Sequence, residues 1–274
     1  MSQHRPERDR EVAAQREVTR IALAGVDGFA LAGSGAIREH GMIDRPTEDV
    51  DLFTNRVDVA AFGTAVDQVI SDLRAGGYQV DQTRRAAQFA RLHVATSDGL
   101  QFDVDLGVDW RQDLPVSLEV GPVLSLADAV GNKVSALYSR GEARDYLDVD
   151  AIRASGRFSD EQLVTAAGER DAGFEVGMFA QQLDAVARLQ VAQVARYGYS
   201  AGQLEAIKTR FAQWAEQLRD PPTSETPDRA VAAKLQEATE RMEGHKPLPT
   251  APASSDHSTP ERRPAQGHDQ GIER

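Results

Sequence analysis

Two pairs of acids spaced one residue apart carry the clearest chemical signal in the chain: Asp49 and Asp51 in Asp49-Val50-Asp51-Leu52-Phe53, and Asp103 and Asp105 in Phe102-Asp103-Val104-Asp105-Leu106. On a strand, residues two apart share a face, so each pair projects two carboxylates side by side while Val50, Leu52, Val104 and Leu106 turn to the core. Carboxylates held that close repel each other. Divalent cations with oxygen ligands relieve the repulsion, and Mg²⁺ typically uses one or two carboxylates together with substrate phosphates. Upstream lies Gly33-Ser34-Gly35, a turn between a strand and a helix whose backbone N–H groups could approach a phosphate closely. Alone, an Asp-x-Asp is ordinarily a solvated edge and a Gly-Ser-Gly merely a turn. Their ordered pairing on successive predicted strands brings phosphate and metal to one place, and a carboxylate on a later strand allows two cations to be bridged.

A second chemical segment runs from Lys133 to Asp148. On one continuous helix at ~100° per residue, Arg140, Arg144 and Asp148 lie within about 60° of the direction of Lys133, whereas Asp145 points away. Such a face carries three cations and suits phosphate, although Arg144 and Asp148 at i,i+4 could equally be a surface ion pair. Gly141 is the position at which this helix would break. Asp145 is expected to serve a helix N-terminus or an arginine. Arg84-Arg85 and Arg91 form a basic cluster between strands, the best further contact for an RNA backbone. His40 and His93 are expected to be packed or solvated, and the other four histidines lie near the termini, so no zinc set can be assembled. Without cysteine there is no disulfide, thiolate metal site or Cys nucleophile, which suits a reducing cytoplasm.

The elements that must hold these residues follow from hydrophobic period. Helical spacing is expected over 9–24, a buried strand over 29–32, one or two helical turns over 36–40, a strand over 49–53 and a helix over 57–73 closed by Gly76-Gly77. Strands follow at 78–81, 88–95 and 100–106. Beyond Pro122 the pattern is helical at 126–140, 144–154, 160–168, 174–189 and 201–218, with a capping box at Ser159 and Gln162. Phe211, Trp214 and Leu218 recur at core spacing. Strands first and helices later predict an α+β catalytic domain over 10–122 and a helical domain over 123–219. Residues 1–9 are expected to be a disordered N-terminus. The stretch 220–274 holds eight of the twelve prolines and no aromatic residue, so it is expected to be a disordered tail with at most a short helix at 228–243. The chain of 274 residues carries a net charge of -12, of which the tail accounts for three. An acidic body repels nucleic acid unless basic groups gather locally or cations intervene. No stretch is long and apolar enough for a membrane span, and no signal peptide is visible.

The chain resembles the polymerase β-like nucleotidyltransferase superfamily and, within it, the AbiEii/AbiGii toxin family. The resemblance rests on Gly33-Ser34, Arg45-Pro46-Thr47-Glu48-Asp49-Val50-Asp51-Leu52-Phe53, Val104-Asp105-Leu106, Gly121-Pro122 and the run from Lys133 through Arg144-Asp145-Tyr146-Leu147-Asp148. It covers residues 20–155 well and the later helices loosely. It implies a mixed sheet flanked by helices, two Mg²⁺ ions on Asp49, Asp51 and Asp105 with Asp103 as the fallback, and an NTP substrate over Gly33 and Ser34. Lys133 is implied as a catalytic and nucleotide contact, with Arg140, Arg144 and Asp148 beside it. The implied activity is transfer of NMP from NTP to an acceptor, the tRNA 3′ end, by the toxin of a type IV toxin-antitoxin or phage-defence pair with a cognate antitoxin. The competing expectations are a small-molecule acceptor, as in antibiotic-modifying relatives, and a catalytically silent binding module on the same fold.

Overall fold

A computed structural model describes residues 4–45 and 47–220. These lie in the first of two compact units, Met1–Pro222; the second, Thr223–Arg274, which includes the helix expected at 228–243, lies outside the described residues. The first half runs α1 (His4–Ala24), β1 (Phe29–Leu31), α2 (Gly33–Glu39), β2 (Asp49–Thr54), α3 (Val59–Ala75), β3 (Gln79–Ala86), β4 (Phe89–Ala95), β5 (Gln101–Val108), β6 (Val116–Leu118) and β7 (Gly121–Val123). Helices α4 (Leu126–Ser139), α5 (Ala143–Ala154), α6 (Asp160–Gly168), α7 (Val176–Asp184), α8 (Val191–Ala195) and α9 (Ala201–Arg219) follow, with a 3₁₀ turn, Ala185–Arg188, after α7.

The strands form one mixed sheet in the order β3-β4-β5-β2-β1-β7-β6. Pairs β2–β5 and β1–β7 are parallel and the rest antiparallel. The fold is therefore α+β, a mixed sheet flanked by helices. In β2, Val50, Leu52 and Thr54 are buried while Asp49, Asp51 and Phe53 turn to the other face. Strand β5 alternates likewise, with Phe102, Val104 and Leu106 in the core. Behind that face, α3 contributes Phe62, Val66, Val69 and Leu73, and the Asp58 side chain caps its first turn through Ala61 N–H at 2.6 Å. A fully buried side chain of this size contributes roughly 1.5–3 kcal/mol. Together they lock which face of β2 and β5 meets water.

Several expectations need correction. Helix α1 opens at His4, so residues 4–8 are helical; Arg8 and Arg10 reach Asp44 and Asp98, contacts that a local apolar period does not register. The expected helix over 174–189 is α7 followed by the 3₁₀ turn, and α8 was not anticipated. Strands β6 and β7 were also missed, being only three residues each; β7 spans the position expected as a domain boundary. Arg84, Arg85 and Arg91 do not cluster in a loop. They lie on β3 and β4, with Arg85 turned to Asp67 on α3 (2.6 Å), Arg84 over the Phe89 ring and Arg91 on β5's Asp105. The capping box at Ser159 and Gln162 forms as expected, and Phe211 and Trp214 are buried on α9.

Candidate active site

The in-register pairing of β2 with β5 sets Asp49 opposite Asp103 and Asp51 opposite Asp105. One carboxylate oxygen each from Asp49, Asp51 and Asp105 lies within 4.8 Å of the others. Asp103 sits differently. Its Oδ1 lies 3.0 Å from His93 Nδ1 on β4 and its Oδ2 lies 3.8 Å from Arg91 Nε, and it is not one of the converging three. Arg91 grips Asp105 with two donors, Nε at 2.7 Å and Nη2 at 2.6 Å. Gly33, at φ +55°, faces the Asp51 carboxylate so closely that any Cβ there would collide with it. A residue without a side chain is thus required where the β1–α2 turn meets the acids.

Withdrawal from water at the floor of the cleft, followed by the Asp49 charge, pushes the Asp51 carboxyl up to about 7; Asp105 adds to the rise, while Lys133 and Arg144 oppose it. Three converging carboxylates that resist joint ionisation are an all-oxygen donor set for a hard divalent cation, and they fit Mg²⁺.

Opposite the acids stands a cationic wall. A cleft of about 430 Å³ is lined on one side by Asp49, Asp51 and Asp105 and on the other by Lys133, Arg140 and Arg144, with Gly33 and Ser34 between them. The wall is not one helix, contrary to the continuous-helix expectation. Helix α4 ends at Ser139, Gly141 takes φ +57°, and α5 begins at Ala143 with a capping box between Glu142 and Asp145. The break turns Asp145 back toward the cations. It is fully buried, accepts Arg140 Nε at 2.8 Å and lies 3.6 Å from Lys133 Nζ. Its expected role toward an arginine and a helix start is what the geometry shows. Arg144 Nη1 reaches Glu48 at 2.8 Å and Asp49 at 3.7 Å, linking the second helix to the acidic strand.

Asp148 was expected beside the nucleotide, and the structure puts it elsewhere. It has no exposed surface and does not line the cleft. Its carboxylate receives Arg45 Nε at 2.6 Å and Nη2 at 2.7 Å, Ser34 Oγ at 2.9 Å and Lys133 Nζ at 2.9 Å. Burial alone would raise its pKa, but the charges of Lys133 and Arg45 and their hydrogen bonds outweigh it and hold the carboxyl below the usual carboxylate range. Asp148 therefore positions Ser34 and Lys133 from behind. Arg45 also lies over the Tyr197 ring at 4.9 Å, joining the site to the turn after α8. His40 is packed, with Nε2 2.8 Å from the Leu124 carbonyl.

Sequence reasoning missed the other end of the cleft, which holds Asp109, Trp110, Asn132 and Arg170. Arg170 passes over α4 at Gly131, where a Cβ would collide with its guanidinium, and bonds Asp128 at 2.8 Å and Asn132 at 2.9 Å. The available signal was a glycine on the packed face of a helix, a position where glycine costs about 1 kcal/mol unless something crosses close by. Asn132 shares a helical stripe with Ala129 and Ala136, which line the same cleft.

A carboxylate trio facing a cationic wall, on a mixed sheet opened by a glycine turn, is the arrangement expected of a nucleotidyltransferase. The chain belongs to the family described as nucleotidyl transferase AbiEii toxin, Type IV TA system, which matches residues 22–256. It is accordingly a nucleotidyltransferase enzyme of a toxin family. No curated protein matches the sequence. Among solved structures, it is similar to MenT4, a nucleotidyltransferase toxin from Mycobacterium tuberculosis, at 16% identity and TM-score 0.48, covering 85% of this chain and 91% of that one. A putative nucleotidyltransferase from Helicobacter pylori gives 16% identity, TM-score 0.47 and coverage of 80% and 96%. JHP933 from the same species gives 15%, 0.44, 89% and 99%. No helix among the described residues is long and apolar enough to cross a membrane.

Proposed function

We propose that this enzyme transfers NMP from an NTP to the 3′ end of tRNA in a Mg²⁺-dependent reaction, as a toxin held in check by a cognate antitoxin. The observation that carries the reading is the convergence of Asp49, Asp51 and Asp105 opposite Lys133, Arg140 and Arg144 across one cleft. Bound Mg²⁺ would neutralise phosphate charge and lower the pKa of an attacking hydroxyl. Asp49, Asp51 and Asp105 would hold it. Arg140 and Arg144 bind the triphosphate, Lys133 steadies it at the charge that develops on pyrophosphate, and Gly33 and Ser34 form the floor beneath it. The acceptor oxygen bonds to the α-phosphorus as the bond to pyrophosphate breaks, and the hydroxyl proton passes to solvent.

An acidic enzyme with a local basic wall binds RNA through that wall and through cations, and such binding fades as salt rises. The test is to incubate purified protein with each labelled NTP, Mg²⁺ and total tRNA, and to repeat with Asp49→Ala and Asp51→Ala. Label on tRNA from the wild type alone is expected. Equal transfer by the variants would sink the metal assignment. Transfer to a protein or a small metabolite instead of tRNA would sink the acceptor.

A further inference from the structure

The two ends of the cleft differ in kind. Helix α4 turns Ala129, Asn132, Lys133 and Ala136 to the cleft, and Arg140 caps its C-terminal end there. At 1.5 Å per residue, Arg140 and Asn132 stand about 12 Å apart along it. The facing strand keeps the same measure: from Asp105 at the metal site to Asp109 just past the end of β5 is about 13 Å at the strand rise. One end therefore holds the carboxylate trio with Arg140 and Arg144, and the other, a nucleoside's length away, holds an amide, a carboxylate and an indole backed by the guanidinium of Arg170.

That second end is built rather than incidental. Asn132 accepts Arg170 Nε through Oδ1 at 2.9 Å, which fixes the amide so that Nδ2 donates to Asp109 Oδ2 at 3.1 Å. Asp109 Oδ1 accepts the Trp110 backbone N–H at 2.8 Å. Arg170 is itself almost wholly buried, is anchored on Asp128, and lies 5.7 Å from the centre of the Trp110 ring. Trp110 keeps 53% of its surface exposed, while the chain's other tryptophan, Trp214, has none. A large indole left half in water on a cleft wall gains most by covering a planar group, and base–aromatic stacking is the ordinary way nucleotides supply one.

We propose that Trp110 and the Asp109–Asn132 pair form the base-binding end of the cleft. The base stacks on the indole and its edge meets the Asp109 carboxylate, which can only accept, and the Asn132 amide. This rests on the reading that the cationic end holds the triphosphate, and it makes Asp109 the residue that ranks the four NTPs.

The test uses the full chain and its own fluorescence, because Trp214 is buried and only Trp110 can meet a ligand in the cleft. The Mg²⁺ complexes of ATP, GTP, CTP and UTP are titrated against Mg²⁺-tripolyphosphate, which carries the charge without a base. At least one NTP is expected to quench emission, tripolyphosphate is expected to leave it unchanged, and Trp110→Leu is expected to abolish the quench. In transfer assays Trp110→Leu raises the KM for NTP about ten-fold or more, as expected for a lost stack, without altering the KM for acceptor, and Trp110→Phe restores it. Asp109→Asn, which adds a donor, changes the order of NTP preference. An equal quench by tripolyphosphate, or an unchanged NTP KM in Trp110→Leu, overturns the proposal; an unchanged order in Asp109→Asn removes Asp109 from it. Quenching without transfer to any acceptor would instead defeat the functional reading and leave the base site standing.

Discussion

The two walls of the cleft are built by different means. The acidic wall lies on β2 and β5, where a period of two and an in-register parallel pairing set the carboxylates opposite one another. The cationic wall needs an interruption, because Gly141 ends α4 and α5 restarts at a new angle. A strand therefore places its chemistry through spacing that can be read locally. A helix pair places it through the break, whose geometry depends on what packs behind. The acids pay for their position in mutual repulsion, whereas the cations are held by buried acids of their own, Asp145 and Asp148.

The comparison can be broken most sharply at the acids. Asp49→Ala or Asp51→Ala is expected to cut NMP transfer by roughly a thousand-fold or more, as for loss of an electrostatic group acting in the transition state. Thermal stability should hold or rise, because a repelling charge is gone; a melting curve that collapses would make these residues structural. Asp148→Ala should cost stability as well as transfer, because its carboxylate holds Lys133 and Ser34 in place. Removing one partner from a buried ionic network costs about 3–5 kcal/mol, so denaturant unfolding should show the loss before activity is considered.

The same network has a pH signature. A carboxyl held below its unfolded value contributes stability that is fully present above that unfolded pKa and is lost as pH falls through the folded one. Acid unfolding of the wild type should therefore steepen below the ordinary aspartate range, and Asp148→Asn should flatten that limb. An unchanged acid limb would mean that Asp148 is not ionised in the folded protein. A smaller effect is expected at Gly141→Ala, where the positive φ costs about 1–2 kcal/mol and a Cβ would also meet Gln182. Its melting temperature should fall and the KM for NTP rise together, since the angle between the helices orients Arg144. Least of all, Arg144→Gln should raise the KM for NTP with little change in stability, because Arg144 is tied mainly to the partly exposed Glu48 and Glu142.

What could be read from sequence follows the same division. Alternation made β2 and β5 visible residue by residue, and the choice of Asp105 over Asp103 agrees with the carboxylate geometry. The cationic residues were visible as types, but their angular relation was drawn on an unbroken helix, which pointed Asp145 away from the cations and set Asp148 beside the nucleotide; Asp145's service to an arginine and a helix start holds all the same. Whether an acid near a cation faces the cleft or the core is decided by partners such as Arg45, which lies 103 residues from Asp148 in the chain. The base-binding end was hidden for the same reason, because Arg170 reaches Asn132 from 38 residues away across a glycine.

The pairing of β2 with β5 also sets a schedule. These strands are neighbours in space, but α3, β3 and β4 are made between them, so the third carboxylate joins the first two only after the chain has emerged past residue 105. The cations that face them arrive later still, from residues 133 to 144. Long-range pairings of this kind form late, and domains fold as units while synthesis proceeds. A ribosome making this enzyme therefore carries an incomplete catalyst until Arg144 has emerged, so the two walls of the cleft cannot meet before both α4 and the start of α5 have been made.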